Sequence, residues 1–206
     1  MKFAFAIAPI LALFACTAAA QDRMPPIPAE RMTDAQKKAV AEFEAARRAP
    51  LSGPFVPLLR SPEVMNRARA MGDYLRFNSV LPPRLSEFAI IFTARTWTQQ
   101  YEWEVHAPLA RQGGLSADII AAIAEGRRPA QMAADEAALY DFCDELHRLR
   151  SVSDPTYARA VAAFGEQGVI DILGISGYYS MLAMVLNTTR APLPPGRPAP
   201  LAPFPR

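Results

Sequence analysis

Three side chains carry the chemistry that can be read from this sequence: Glu87, Glu102 and His106. On a helix, residues three and four apart share a face, so Gln99, Glu102 and His106 form a polar stripe two turns long, and Glu102 can touch His106 directly. A carboxylate beside an imidazole favours the imidazolium and orients the ring, which suits a general acid or base working near neutral pH. The same spacing also fits a solvated helix face bearing an ordinary Glu–His pair. Glu87 lies fifteen residues before Glu102, about 22 Å along a straight helix. It reaches the pair only if the helix breaks near Thr96–Thr98 or a second subunit closes the gap.

The elements that must position these residues are all helical. Thr33 with Gln36 forms a capping box opening a helix to about Arg48. A loop over roughly 49–60 follows, broken by Pro50, Gly53, Pro54 and Pro57. Ser61-Pro62-Glu63 starts a helix to about Asn78. After Pro82-Pro83, one long helix is expected from about Arg84 to Gln112, kinked near Pro108 and stopped by Gly113-Gly114. Ser116 caps the next, Leu139, Phe142, Leu146 and Leu149 mark another over about 134–150, Asp154-Pro155 opens one to about Phe164, and 167–189 forms the last. No alternating β-branched run reaches strand quality, so the chain is expected to be all-α.

Composition narrows the function. The 206 residues carry 22 Lys+Arg against 20 Asp+Glu, a formal net charge of +2 that is scattered rather than clustered. This gives no footprint for nucleic acid. Two Cys cannot build a four-Cys zinc site, and two His leave little room for a multi-His metal centre. No GxGxxG, GxxxxGK[ST], GxSxG or HExxH occurs; no metal, flavin, nucleotide or other cofactor is called for. Cys143 and His147 on one helix read as a buried thiol and a boundary histidine.

The chain ends have their own character. Lys2, the apolar run Phe3–Ala15 and Ala18-Ala19-Ala20 have the order of a cleaved signal peptide over 1–20, which places the protein in the periplasm or outside the cell. Leu13-Phe14-Ala15-Cys16 resembles a lipoprotein box, a weaker reading because Phe14 fits it poorly. Residues 21–60 read as an extension with one helix, 61–190 as the helical domain, and 191–206, with seven of the twenty prolines, as a polyproline-like strap or disordered end. The stretch Ile172–Leu186 is almost wholly apolar but too short to span a bilayer. With Phe88–Phe92 it suggests an oligomer that covers both.

The frame Glu87-x11-Gln99-x2-Glu102-x3-His106 resembles the active-site motif of the AhpD-like alkylhydroperoxidases. The segment YEWEVHAPLARQGGL is more similar to the carboxymuconolactone decarboxylase family, in the branch with Tyr-Glu-Trp before the His. The resemblance covers about 60–190, including the GYYSMLAMVLN helix. It implies an all-α fold of paired antiparallel helices, assembled as a homo-oligomeric trimer or hexamer. Gln99 and Glu102 stand where the peroxidase branch has its redox Cys pair, and neither can supply a thiolate, so peroxidase activity is not expected. The decarboxylase branch implies loss of CO2 from a small lactone acid through an enolate-like state. On that analogy His106 is the proton donor or shuttle, Glu102 its orienting partner and Glu87 a second acid–base group. By residue type, Arg95 is a candidate for a substrate carboxylate, its alternative being a surface residue. Gln99, Tyr101, Trp103 and Trp97 are candidates to surround the substrate, although aromatic residues at helical spacing, Tyr178 and Tyr179 included, are more often core. Asn187 is a further candidate to face the site. The competing reading is a helical small-molecule-binding or assembly protein with a silent site.

Overall fold

The computed structural model describes residues 22–193 and 196–203, so the signal peptide read at 1–20 lies outside the described residues. Eight helices follow in order: α1 Asp34–Arg47, α2 Phe55–Leu58, α3 Pro62–Phe77, α4 Pro83–Thr96, α5 Gln100–Gln112, α6 Ala117–Ala124, α7 Ala134–Leu149 and α8 Asp154–Thr189. No strand occurs among the described residues. The all-α expectation holds.

Local sequence sets most helix starts. Thr33 Oγ1 accepts from the Gln36 amide at 3.3 Å and Gln36 Oε1 from the Thr33 amide at 2.9 Å, closing the expected capping box. Ser116 Oγ accepts from the Ile119 amide at 3.2 Å. Ser61 makes no capping bond; Pro62 at the first position, with φ already near its helical value, opens α3 instead. At α8 the cap comes from a neighbour, because Glu145 on α7 accepts from the Ser153 amide at 2.7 Å and from Thr156 Oγ1 at 2.7 Å.

Two expectations are corrected and a third holds. The helix anticipated over 84–112 is two, α4 and α5, broken between Trp97 and Gln99. The loop over 49–60 contains the one-turn helix α2, whose Phe55, Pro57 and Leu58 are buried. The last two anticipated helices are both present within the span of α8, separated at Gly165, whose φ of 68° and ψ of 172° are not helical.

α4 is the central helix, packed by α5, α7 and α8. Phe88, Ala89, Ile90 and Ile91 are each 1% exposed or less, and Ile172, Ile175 and Ala183 of α8 are buried as deeply. Burying each large side chain of this kind contributes about 1.5–3 kcal/mol. Most of both apolar runs is thus covered within one chain, with Leu173 at 37% and Met184 at 47% exposure the exceptions in the second. α8 is long and apolar enough to cross a membrane, yet 56% of its most apolar eighteen-residue window is buried inside the chain, as a core helix requires. Outside the two runs, Phe77 and Ile170 are each 64% exposed.

The described part of the proline-rich end is a strap. Gln100 receives the Leu201 amide on Oε1 and donates Nε2 to the Leu201 carbonyl, both at 2.8 Å. Leu201 itself is only 2% exposed.

Candidate active site

The break between α4 and α5 builds the site. Thr98 adopts φ 46°, costly for a β-branched residue, and the Gln99 amide donates to the Ala94 carbonyl at 2.8 Å. Gln99 Oε1 then caps α5, accepting from the Tyr101 amide at 2.6 Å and the Glu102 amide at 3.4 Å. Its Nε2 donates to Asn187 Oδ1 at 2.8 Å, while Asn187 Nδ2 donates to the Trp97 carbonyl at 3.2 Å. Trp97 Nε1 donates to Ser180 Oγ at 2.9 Å. α8 therefore clamps the turn through Ser180 and Asn187. Gln99 and Asn187, expected at the substrate, spend their polar atoms on the turn instead.

The turn folds α5 back along α4. Nineteen residues of continuous helix would separate Glu87 from His106 by about 28 Å; instead His106 Nδ1 donates to Glu87 Oε2 at 2.6 Å. That bond leaves His106 Nε2 facing Glu102 Oε2 at 3.5 Å, too long for a strong hydrogen bond. All three residues are buried: Glu87 is 8% exposed, Glu102 3% and His106 3%. The near partner of the imidazole is thus Glu87, from another helix. Glu102, its sequence neighbour and expected orienting group, is the looser contact. Tyr179 packs edge-on against the ring at 5.0 Å, with Tyr178 edge-on to Tyr179 at 5.1 Å.

Glu102 and His106 line a cavity of about 160 Å³, between α1 and the 52–55 turn on one side and α3, α5 and α8 on the other. Burial raises the pKa of Glu102, with the Glu87 charge adding to the rise and His106 and Arg76 opposing it. Burial likewise holds the phenols of Tyr101, Tyr178 and Tyr179 neutral above the ordinary tyrosine range. Tyr101 lines the cavity as expected. Its ring crosses Gly53, where a Cβ would lie 2.5 Å from Tyr101 Cε1 and the φ of +56° also favours glycine.

Other expected residues do not join them. Arg95 Nη1 donates to the Ala202 carbonyl at 2.8 Å and to Thr98 Oγ1 at 3.4 Å, so it holds the strap and the turn. It lines a separate cavity with Asp144 and His147. Trp103 is buried against a different groove, beside Pro108 and Pro200. Cys143 is buried, and burial pushes its thiol up to about 12, so it offers no thiolate at neutral pH. Sequence reasoning missed Arg47 and Arg76, which both line the cavity. Tyr178 and Tyr179 are buried in the core and also form a cavity wall.

Residues 62–142 match the carboxymuconolactone decarboxylase family. A crystal structure of a protein of unknown function from Agrobacterium tumefaciens, provisionally described as the antioxidant defence protein AhpD, is similar with a TM-score of 0.55. The two share 18% identity, over 66% of this chain and 94% of that one. No curated protein matches the chain significantly. The chain has an all-α, AhpD-like fold, and its segment 62–142 is similar to the carboxymuconolactone decarboxylase family. Glu87, Glu102 and His106 fall within the matched segment, whereas Arg47, Tyr178 and Tyr179 lie outside it.

Proposed function

We propose that this protein is an exported, cofactor-free acid–base enzyme, a lyase or isomerase acting on a small carboxylated or lactone substrate. The observation that carries the reading is the buried Glu87–His106–Glu102 series ending in a cavity. Glu87 accepts the Nδ1 proton and fixes the ring, so Nε2 is the nitrogen that exchanges protons with a bound molecule. Glu102, kept protonated to higher pH by burial, is a second donor beside it. In a decarboxylation the bond to the carboxylate carbon breaks, CO2 leaves, and the electron pair passes into an enolate-like system. A proton from His106 or Glu102 then ends on the carbon left behind. The family match supports decarboxylase-like chemistry, and the missing thiolate weighs against peroxide reduction. Export is supported by the order of Lys2, the apolar run and Ala18–Ala20.

The test is turnover of a series of monocarboxylic lactone acids, with the dicarboxylic 4-carboxymuconolactone for comparison, by wild type, His106→Ala and Glu87→Gln. A general acid contributes about 10²–10⁴-fold, so His106→Ala is expected to lose activity by that factor at unchanged helicity. Glu87→Gln keeps the shape and loses less. Full turnover by His106→Ala sinks the assignment, as does a wild-type protein inactive on every acid in the series. Should His106→Ala fail to fold, His106→Gln replaces it.

A further inference from the structure

The cavity holds more than the acid–base group. Three buried polar atoms on its walls meet no protein partner among the described residues: Arg47 Nε, Arg76 Nε and Glu102 Oε1. Buried donors and acceptors are ordinarily paired, so two orphan donors and an orphan acceptor around one cavity mark a place built for a polar ligand. The two arginines differ in commitment. Arg47 Nη2 pairs with Asp73 Oδ1 at 2.7 Å, and its guanidinium lies over the Phe43 and Phe55 rings at 5.9 and 5.6 Å. Arg76 makes no hydrogen bond or ion pair among the described residues; its guanidinium rests 5.0 Å from the Phe77 ring centroid.

A planar guanidinium fork matches a carboxylate bidentately. The neighbourhood favours a single negative charge: Arg76 has no hydrogen bond or ion pair among the described residues, Arg47 is partly neutralised by Asp73, and Glu87 behind His106 opposes a second negative charge. Size sets a second limit. A water occupies roughly 10–15 Å³ of such volume, so a cavity of about 160 Å³ takes a ligand of about ten non-hydrogen atoms.

We propose that Arg76, assisted by Arg47, binds the carboxylate of a small monoanionic substrate and turns its reacting end toward Glu102 and His106. The proposal rests on the acid–base reading of the cavity and names its substrate class. Arg47 belongs to α1, which precedes the family-matched residues 62–142. The N-terminal segment is therefore part of the specificity machinery rather than an appendage.

Calorimetric titration of the purified protein with benzoate tests this, with benzamide as the neutral isostere and inorganic phosphate as the dianion. Benzoate is expected to bind and benzamide and phosphate to bind far more weakly. Arg76→Gln should weaken benzoate at least about tenfold, Arg47→Gln less, and Arg76→Lys should recover part of the loss. Arg67→Gln, an exposed change on the same helix whose side chain is 79% exposed, should change nothing. Equal binding of benzoate and benzamide, tighter binding of phosphate, no benzoate binding at millimolar concentration, or Arg76→Gln matching Arg67→Gln would each overturn the proposal. If Arg76→Gln does not fold, Arg76→Lys and Arg47→Gln decide. Binding is read without turnover, so the two readings fail separately. Arg76-dependent benzoate binding in an enzyme whose His106→Ala keeps full activity overturns the catalytic assignment alone. Arg76-independent binding beside an inactive His106→Ala overturns the anion site alone.

Discussion

Replacing Glu102 by Gln separates burial from ion pairing in the site. Glu102 is 3% exposed, one oxygen stands 3.5 Å from His106 Nε2, and the other has no hydrogen-bond partner among the described residues. Burial is the largest influence on its carboxyl and raises its pKa above the ordinary 4.5; the attraction of His106 and Arg76 is the weaker effect. A group whose folded pKa is raised binds its proton more tightly in the native state. Its stabilising effect is fully present below about pH 4.5 and is lost as pH rises through the folded value. One proton taken up gives a limiting slope of about 1.4 kcal/mol per pH unit. The Gln variant has no such term and keeps the shape. Urea unfolding at several pH values between 4.5 and 8, followed by tryptophan fluorescence, supplies the difference. The variant should gain on wild type by up to that slope above pH 4.5 and then level off where native Glu102 ionises. A difference flat over the whole range would refute the reasoning, and wild type gaining with pH would show that Glu102 is held as an anion by its neighbours.

Three further expectations follow from packing and sequence. An added methyl at Gly72 would lie 2.3 Å from the Tyr178 hydroxyl, so Gly72→Ala should cost about 1–3 kcal/mol; Gly177→Ala, with nothing within 4 Å, should stabilise α8 by up to about 1 kcal/mol. Thermal midpoints moving in the same direction for both would contradict this. We expect a homo-oligomer, trimer or hexamer, joined through the exposed Phe77 and Ile170; light scattering should show Ile170→Arg shifted toward monomer, and a monomeric wild type disposes of the idea. Intact mass of the exported protein should correspond to a chain beginning at Gln21, which a retained Met1 would contradict.

The parts of this fold that were legible in the sequence are those decided within one turn of helix. The Thr33–Gln36 box, the Ser116 cap and the Glu102–His106 spacing need only neighbours three or four residues away. The α4–α5 break is of another kind. Residues 96–99, Thr-Trp-Thr-Gln, contain neither Gly nor Pro, and Thr98 takes a left-handed conformation that its own type resists. What holds the turn is Gln99 capping α5 while Asn187 and Ser180, more than eighty residues on, grip its two ends. Periodicity cannot report a break that tertiary contacts impose, so it assigned His106 the partner on its own helix. The apolar runs show the same ambiguity, since a helix buried in its own core and one buried against a second copy carry one pattern. Arg47 and Arg76 had no signal at all, because a cation on an amphipathic helix looks alike whether it faces solvent or a cavity. The most local pairing in the site is consequently its loosest at 3.5 Å, and the tightest, at 2.6 Å, spans the break. The acid–base geometry is thus a property of the turn between α4 and α5, and a substitution that relaxes that turn should disturb His106 as surely as one that removes Glu87.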